Sequence, residues 1–131
     1  MPTREVTVSE HLKKIPPAVR STVQAARRTV KAVAPKAQEF AYQSRPPRSS
    51  RAMYKIIRYA FNDEYVAAIG TFPTYATLFF PRGRELDDGS GLLKGGGKEF
   101  RFVRLASPAD AERPAVKRLV RKAFALATET A

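Results

Sequence analysis

Apolar residues recur at intervals of three and four in two segments of the chain, and this spacing predicts amphipathic helices. The first predicted helix covers residues 17–34, because Pro16 and Pro17 suit a helix start and Pro35 ends it. The second begins near Glu112 and runs towards the C-terminus. The apolar faces comprise Val19, Val23, Ala26, Val30 and Val33 in the first helix and Val116, Leu119, Val120, Ala123, Phe124 and Ala127 in the second.

Capping residues predict two shorter helical turns. Thr7 and Glu10 have the spacing of a capping box, which predicts a short helix to about Lys14. Ser107 can cap the turn that precedes the C-terminal helix, and Pro108 suits the first position of that turn.

Five segments rich in aromatic and β-branched residues predict strands. They cover residues 38–43, 53–61, 65–72, 75–80 and 100–105. Turn residues separate the central strands, which predicts an antiparallel meander. We therefore expect an α+β fold, in which a sheet of about five antiparallel strands packs against N-terminal helices and a C-terminal helix. A single domain over residues 7–128 accounts for the pattern, with residues 1–6 and 129–131 as flexible termini.

The charge of the chain favours anionic partners. The sequence has 24 Lys and Arg against 12 Asp and Glu, a formal net charge of +12, and most of this excess lies in the first sixty residues. Nucleic acid, a polyphosphate ligand or an acidic protein would suit such a surface. A solvated basic surface without a nucleic-acid role is the favoured alternative, because net charge indicates non-specific binding and not a function.

The composition also limits the chemistry that the protein can perform. Without cysteine there is no disulfide, thiol catalysis or thiolate-bound metal. His11 is the only histidine, and the adjacent Asp87 and Asp88 lie in a predicted turn, so no nucleophile–base pair can be assembled. We expect a non-enzymatic protein with no cofactor and no metal. No segment has the apolar length of a membrane span or the core of a signal peptide, so we expect a cytoplasmic protein.

The most distinctive stretch is residues 87–105, DDGSGLLKGGGKEFRFVRL. The backbone amides of its three successive glycines could converge on an anion beside Lys98. A phosphate loop normally opens a helix and places Ser or Thr after the lysine, whereas here Glu99 and a strand follow. A turn that leads into the strand is therefore the favoured interpretation.

A second basic loop covers residues 45–51, where two prolines prevent regular structure and three arginines add charge. The two loops together offer backbone donors and positive charge without a competing acidic cluster. The candidate anion-binding residues are Arg45, Arg48, Arg51, Lys94, Gly95, Gly96, Gly97, Lys98 and Arg101.

Two further surfaces could bind nucleic acid. The first predicted helix carries four basic residues between Arg20 and Lys31, which could lie along a phosphate backbone. No helix-turn-helix signal follows, so a solvated face is the favoured interpretation. The central strands mix aromatic residues with Lys55 and Arg58, as in sheets that stack single-stranded bases. No RNP-like sequence is present, so packing in the sheet core is favoured for the aromatic residues.

Three stretches resemble the YdhG-like domain family, a set of small bacterial domains largely of unknown function. They are HLKKIPPAVRSTVQAARRTVKAVAP with Glu39 close behind, YVAAIGTFPTYATLFFPRG, and DDGSGLLKGGGKEFRFVRL. The resemblance covers roughly residues 7–127 and implies an α+β fold with an antiparallel sheet. The compact Tyr-Gly-x-Pro turn of many members is replaced here by a longer, charged segment from Tyr42 to Pro47.

We therefore expect a YdhG-like domain that binds an anionic small molecule or a protein partner such as an acidic protein. Nucleic-acid binding through the basic helix and loop is the alternative. Some relatives are described as frataxin-like, so the resemblance also implies iron handling. Iron favours hard oxygen ligands, and the first sixty residues supply only Glu5, Glu10 and Glu39 as carboxylates.

Overall fold

The computed structural model describes residues 4–6, 12–13, 15–43, 55–72, 74–86, 91–95 and 98–129. Within these residues, six strands form one antiparallel sheet in sequence order, so each strand pairs with the next. The strands are β1 (Arg4–Val6), β2 (Gln38–Gln43), β3 (Lys55–Phe61), β4 (Glu64–Thr71), β5 (Ala76–Phe80) and β6 (Arg101–Leu105). The helices are α1 (Pro17–Val33), α2 (Pro108–Ala111) and α3 (Pro114–Glu129). The predicted α+β fold is confirmed.

The core lies between one face of the sheet and the helices. Four cross-strand neighbours, Ile57, Ile69, Leu78 and Val103, form a buried row across β3 to β6. This row and the apolar faces of α1 and α3 belong to a single cluster of buried side chains. Burial of apolar area at roughly 25 cal/mol per Å² is the main favourable term for such a two-layer arrangement.

Local signals place the element boundaries close to the predicted ones. Helix α1 starts after Pro16 and ends where the N–H of Ala34 donates to the carbonyl of Val30 at 2.8 Å. The side chain of Ser107 accepts a hydrogen bond from the N–H of Asp110 at 3.4 Å, so the predicted cap is confirmed. The predicted capping box of residues 7–10 lies outside the described residues.

The turn between β3 and β4 has the geometry that its residues allow. Asn62 and Asp63 have φ values of 53° and 62°, in the left-handed region. Two left-handed residues form the tight connection whose twist matches that of the flanking strands, and Asn and Asp tolerate it better than other non-glycine residues. This turn therefore sets the pairing next to it, and an irregularity between Tyr59 and Ala60 shifts the register of the rest of the hairpin.

Strand β1 departs from the sequence-based expectation. Residues 1–6 were expected to be a flexible terminus and the sheet to have about five strands, but Arg4–Val6 pairs with β2 as a sixth strand. A three-residue strand is too short to show a hydrophobic period, and its pairing depends on main-chain groups at the edge of β2.

No helix in the described part of the chain combines the length and apolarity needed to cross a bilayer.

Candidate anion-binding surface

The nine predicted anion-binding residues fall into two groups. Arg45, Arg48, Arg51, Gly96 and Gly97 lie outside the described residues. Lys94, Gly95, Lys98 and Arg101 lie beside or within β6.

The described part of the Gly-rich stretch turns back onto β6. The N–H of Lys94 donates to the carbonyl of Phe102 at 2.8 Å, and the N–H of Phe102 donates to the carbonyl of Lys94 at 3.0 Å. Gly95 follows with a φ of 119°, which glycine adopts without strain. The amide of Lys94 is therefore already bonded within the sheet.

The charged side chains of this stretch have different surroundings. Those of Lys94 and Lys98 are exposed, whereas Arg101 is half-buried and its Nη1 donates to the carbonyl of Phe100 at 2.7 Å. Both lysines could meet an anion from solvent. Anion binding at this loop stays a prediction.

A larger basic surface lies on the helical layer, where α1 and α3 cover one face of the sheet. The two helices carry eight cations and one carboxylate, that of Glu129. The cations are Arg20, Arg27, Arg28 and Lys31 on α1 and Lys117, Arg118, Arg121 and Lys122 on α3. We call these eight residues and the surface that they occupy the helical basic surface.

Two clefts adjoin on this surface, one on each side of Arg28 and Ala32. The first has a volume of about 580 Å³ and is lined in part by Arg27, Arg28 and Lys31. The second has a volume of about 380 Å³ and is lined in part by Arg28, Glu112 and Lys117. Cations that are far apart in sequence therefore face neighbouring depressions.

The cations of α3 are the least compensated on this surface. Arg28 forms an exposed ion pair with Glu112 at 3.2 Å. No carboxylate of the described residues pairs with Lys117, Arg118, Arg121 or Lys122, and all four side chains are exposed. These four cations are free to meet an external anion.

Two cations of this surface, Arg27 and Lys31, belong to an ionic network that connects α1 to the sheet. The Nε and Nη2 atoms of Arg27 donate to the two carboxylate oxygens of Glu39 at 2.9 and 3.1 Å. The hydroxyl of Tyr59 donates to the same carboxylate at 2.6 Å, and Lys31 Nζ lies 3.8 Å from it. We call Arg27, Lys31, Glu39 and Tyr59 the Glu39 network.

The two acidic groups of the Glu39 network, Glu39 and Tyr59, have shifted pKa values. Burial opposes the charged form of Glu39, but hydrogen bonds from Arg27 and Tyr59 and the nearby charges of Arg27 and Lys31 outweigh it, so the pKa of Glu39 lies below its ordinary value. Burial and the bond to Glu39 raise the pKa of Tyr59 far above its ordinary value. Neither group changes charge near neutral pH, so the network is suited to holding elements together rather than to moving protons.

We expect the contribution of Glu39 to the free energy of unfolding to decrease at acidic pH. A carboxylate with a lowered folded-state pKa stabilises the fold above its ordinary pKa of 4.5, and this stabilisation is lost as the pH falls through the folded-state value. Urea unfolding between about pH 5 and about pH 3 should therefore show the native protein losing its advantage over Glu39→Gln, which cannot titrate. Glu85, whose pKa is also lowered by Arg82, titrates equally in both proteins. A difference that stays constant over this range would contradict the assignment.

The aromatic residues of the strands divide between the two faces of the sheet. Tyr59 and Phe80 are buried against the helices, as the packing interpretation requires. On the other face, the guanidinium carbon of Arg104 lies 4.0 Å from the ring centroid of Tyr75, and that of Arg58 lies 5.2 Å from the centroid of Tyr65. These rings are already covered in part by the guanidinium groups of the chain itself.

Sequence reasoning identified the polar face of α1 but missed two features of this region. It considered Glu39 as part of a family pattern and as a carboxylate for iron, although a lone carboxylate in a strand next to apolar residues signals a buried partner. It did not consider the basic face of α3 as a binding surface, because nothing in the sequence brings that face next to α1.

No protein-family model, no curated protein and no solved structure matches this chain. Among the described residues, no group of three or more His, Asp or Glu side chains is placed to hold a metal ion.

Proposed function

We propose that this protein is a non-enzymatic binding domain for nucleic acid, which it contacts through the phosphate backbone. The observation that carries the proposal is the helical basic surface, whose four α3 cations have no described carboxylate partner and whose two helices adjoin at a shared cleft. Lys and Arg side chains that neutralise phosphates release condensed counterions, which drives binding without base recognition.

The distribution of the charges supports an extended ligand. Helix α3 supplies four cations without a described carboxylate partner, and α1 adds Arg28, which lines the same cleft as Lys117. A single small anion would touch only part of this surface, whereas a chain of phosphates can follow it.

Membership of the YdhG-like family is also part of this proposal. The α+β architecture, with a helix before an antiparallel meander and a helix after it, is the fold that the resemblance implies. A compact anionic ligand or an acidic protein is the second candidate. The cleft of about 580 Å³ beside Arg27 and Lys31 favours a compact anion, because it is large enough for a small molecule.

The test is a titration against labelled duplex and single-stranded DNA at about 0.05 M and about 0.2 M salt. We expect the native protein to bind both and to weaken steeply as salt rises. In the double variant Lys117→Gln/Arg118→Gln, the salt slope on duplex DNA should become shallower by about 1.8, and affinity at about 0.1 M salt should fall by roughly tenfold to a hundredfold.

The matched control is the double variant Lys94→Gln/Lys98→Gln, which removes the same charge from exposed side chains beside β6. It should retain most of the native affinity. An equal loss in both double variants would show that net charge, and not the helical basic surface, determines binding. A loss in the control alone would move the site to the Gly-rich stretch, and absence of binding at low salt would refute the proposal.

A further inference from the structure

A separate cleft of about 320 Å³ lies where the end of α1 meets the second half of α3. It is distinct from the two clefts beside Arg28, because none of its lining residues lines those two. Its lining includes Lys36, Phe61, Arg121, Phe124, Ala125 and Thr128.

Most of this lining is apolar and part of it is aromatic. The rings of Phe61 and Phe124 meet edge to face, with centroids 6.3 Å apart and an interplanar angle of 74°. Both side chains also contact the main core, so they are held from behind. Ring pairs in this geometry present a fixed apolar surface on which a further ring can pack.

Two cations complete the cleft. The side chains of Lys36 and Arg121 are exposed, and neither pairs with a carboxylate of the residues that the structure describes. The one hydroxyl in the lining, that of Thr128, donates to the carbonyl of Phe124 at 3.0 Å and is therefore already bonded. The charged side chains that line the cleft are thus both positive.

We propose that this cleft binds a small aryl carboxylate, with its ring on the apolar lining and its carboxylate paired with Arg121 and Lys36. Small-molecule sites are mostly apolar clefts of about 300 Å³ or more with a few polar groups that fix orientation. A guanidinium binds a carboxylate through two parallel hydrogen bonds, which gives a preferred orientation as well as affinity. The volume limits the apolar body to a small ring system.

This site does not depend on the binding of nucleic acid. Arg121 belongs to both surfaces, but Lys36, Phe61 and Phe124 lie outside the helical basic surface. A phosphate chain gains little from an apolar lining, whereas an aryl carboxylate needs both the lining and the cation. Variants of the lining therefore separate the two proposals.

The probe is 2-naphthoate, titrated against the full chain and followed by ligand fluorescence or by chemical shifts of the protein. We expect saturable binding that is weakened on the order of tenfold by Arg121→Gln, because the substitution removes a charge-assisted hydrogen-bond donor. Ala125→Phe should fill the cleft from an exposed helix position and abolish binding. The neutral analogue 2-naphthamide should bind at least tenfold more weakly than the carboxylate.

Matched controls make each comparison specific. Arg118→Gln removes the same charge from the same helix without touching the cleft, and Ala109→Phe adds the same ring at an exposed position elsewhere. Both should leave naphthoate affinity unchanged within about twofold, although Arg118→Gln should weaken DNA binding. Thermal melting of each variant verifies that the fold is retained.

Three results would overturn the proposal. Undiminished binding by Ala125→Phe would place naphthoate elsewhere, and equal binding of the amide and the carboxylate would show an apolar groove without a role for the cations. An equal loss in Arg118→Gln and Arg121→Gln would reduce the effect to general charge. If the native protein bound naphthoate but not DNA, the proposed function would fail and this site would stand. Conversely, Ala125→Phe should lose naphthoate and keep DNA binding, since it removes no charge from the helical basic surface.

Discussion

Replacement of Glu39 by alanine is expected to lower the free energy of unfolding by about 3 kcal/mol. Removal of one partner from a buried ion pair typically costs about 3–5 kcal/mol, because the other partner keeps its charge without compensation. Here the side chain of Glu39 is only 12% exposed, while that of Arg27 is 33% exposed. Water can therefore solvate part of Arg27, which places the expected loss at the low end of the range.

Part of this loss of about 3 kcal/mol arises at Tyr59. Its hydroxyl donates to Glu39 at 2.6 Å, and the residue is 1% exposed. A buried donor that loses its acceptor costs about 1–3 kcal/mol. Tyr59→Phe removes the donor together with its need for an acceptor, so this variant should lose only about 1 kcal/mol.

Urea unfolding at neutral pH, followed by circular dichroism, measures these differences. The matched control is Glu112→Ala, which removes an exposed carboxylate from its ion pair with Arg28. Exposed pairs contribute between about 0 and 1 kcal/mol, so the control should stay close to the native protein. Similar losses in Glu39→Ala and Glu112→Ala would mean that the Glu39 network is solvated and does not hold α1 to the sheet.

Sequence reasoning recovered the parts of this fold that depend on local chemistry. Pro16 and Pro35 delimit α1, and the turn at Asn62 and Asp63 lies where short polar residues can take a left-handed conformation. Residues 38–43 were predicted as a strand and form β2. Each of these signals acts over a few residues, so the sequence alone contains it.

The same reasoning could not find features that arise from tertiary contacts. Arg27, Glu39 and Tyr59 belong to three different elements, and no sequence period connects them. The cation Lys117 reaches the cleft beside Arg28 only because α1 and α3 adjoin over the core. A charged helix face looks solvated in the sequence whether it stands alone or beside a second charged face.

Replacement of Gly83 by alanine should lower the free energy of unfolding by about 2–3 kcal/mol, the upper part of the range of about 1–3 kcal/mol found for overpacked sites. Gly83 is buried and begins the 3₁₀ turn Gly83–Leu86. A Cβ atom at this position would collide with the Cβ of Arg101 and would lie 2.7 Å from the backbone nitrogen of Arg101. Backbone of β6 cannot rotate away as a flexible side chain can, so the turn or the strand must move.

Movement of the turn or of the strand also disrupts neighbouring contacts. Comparison of two glycine variants by urea unfolding separates this cost from that of backbone conformation. A shifted turn would draw Leu86 out of the core and break the 2.8 Å bond from the N–H of Arg84 to the carbonyl of Glu99. Gly91→Ala is the comparison, since Gly91 has a φ of 79° but no atom within 4 Å of an added Cβ, so its expected cost is about 1–2 kcal/mol from conformation alone. If Gly83→Ala proved the milder change, the turn would have to lie farther from β6 than this packing requires. A larger loss in Gly83→Ala than in Gly91→Ala would instead show that close packing of Gly83 on Arg101 holds the 3₁₀ turn against the start of β6.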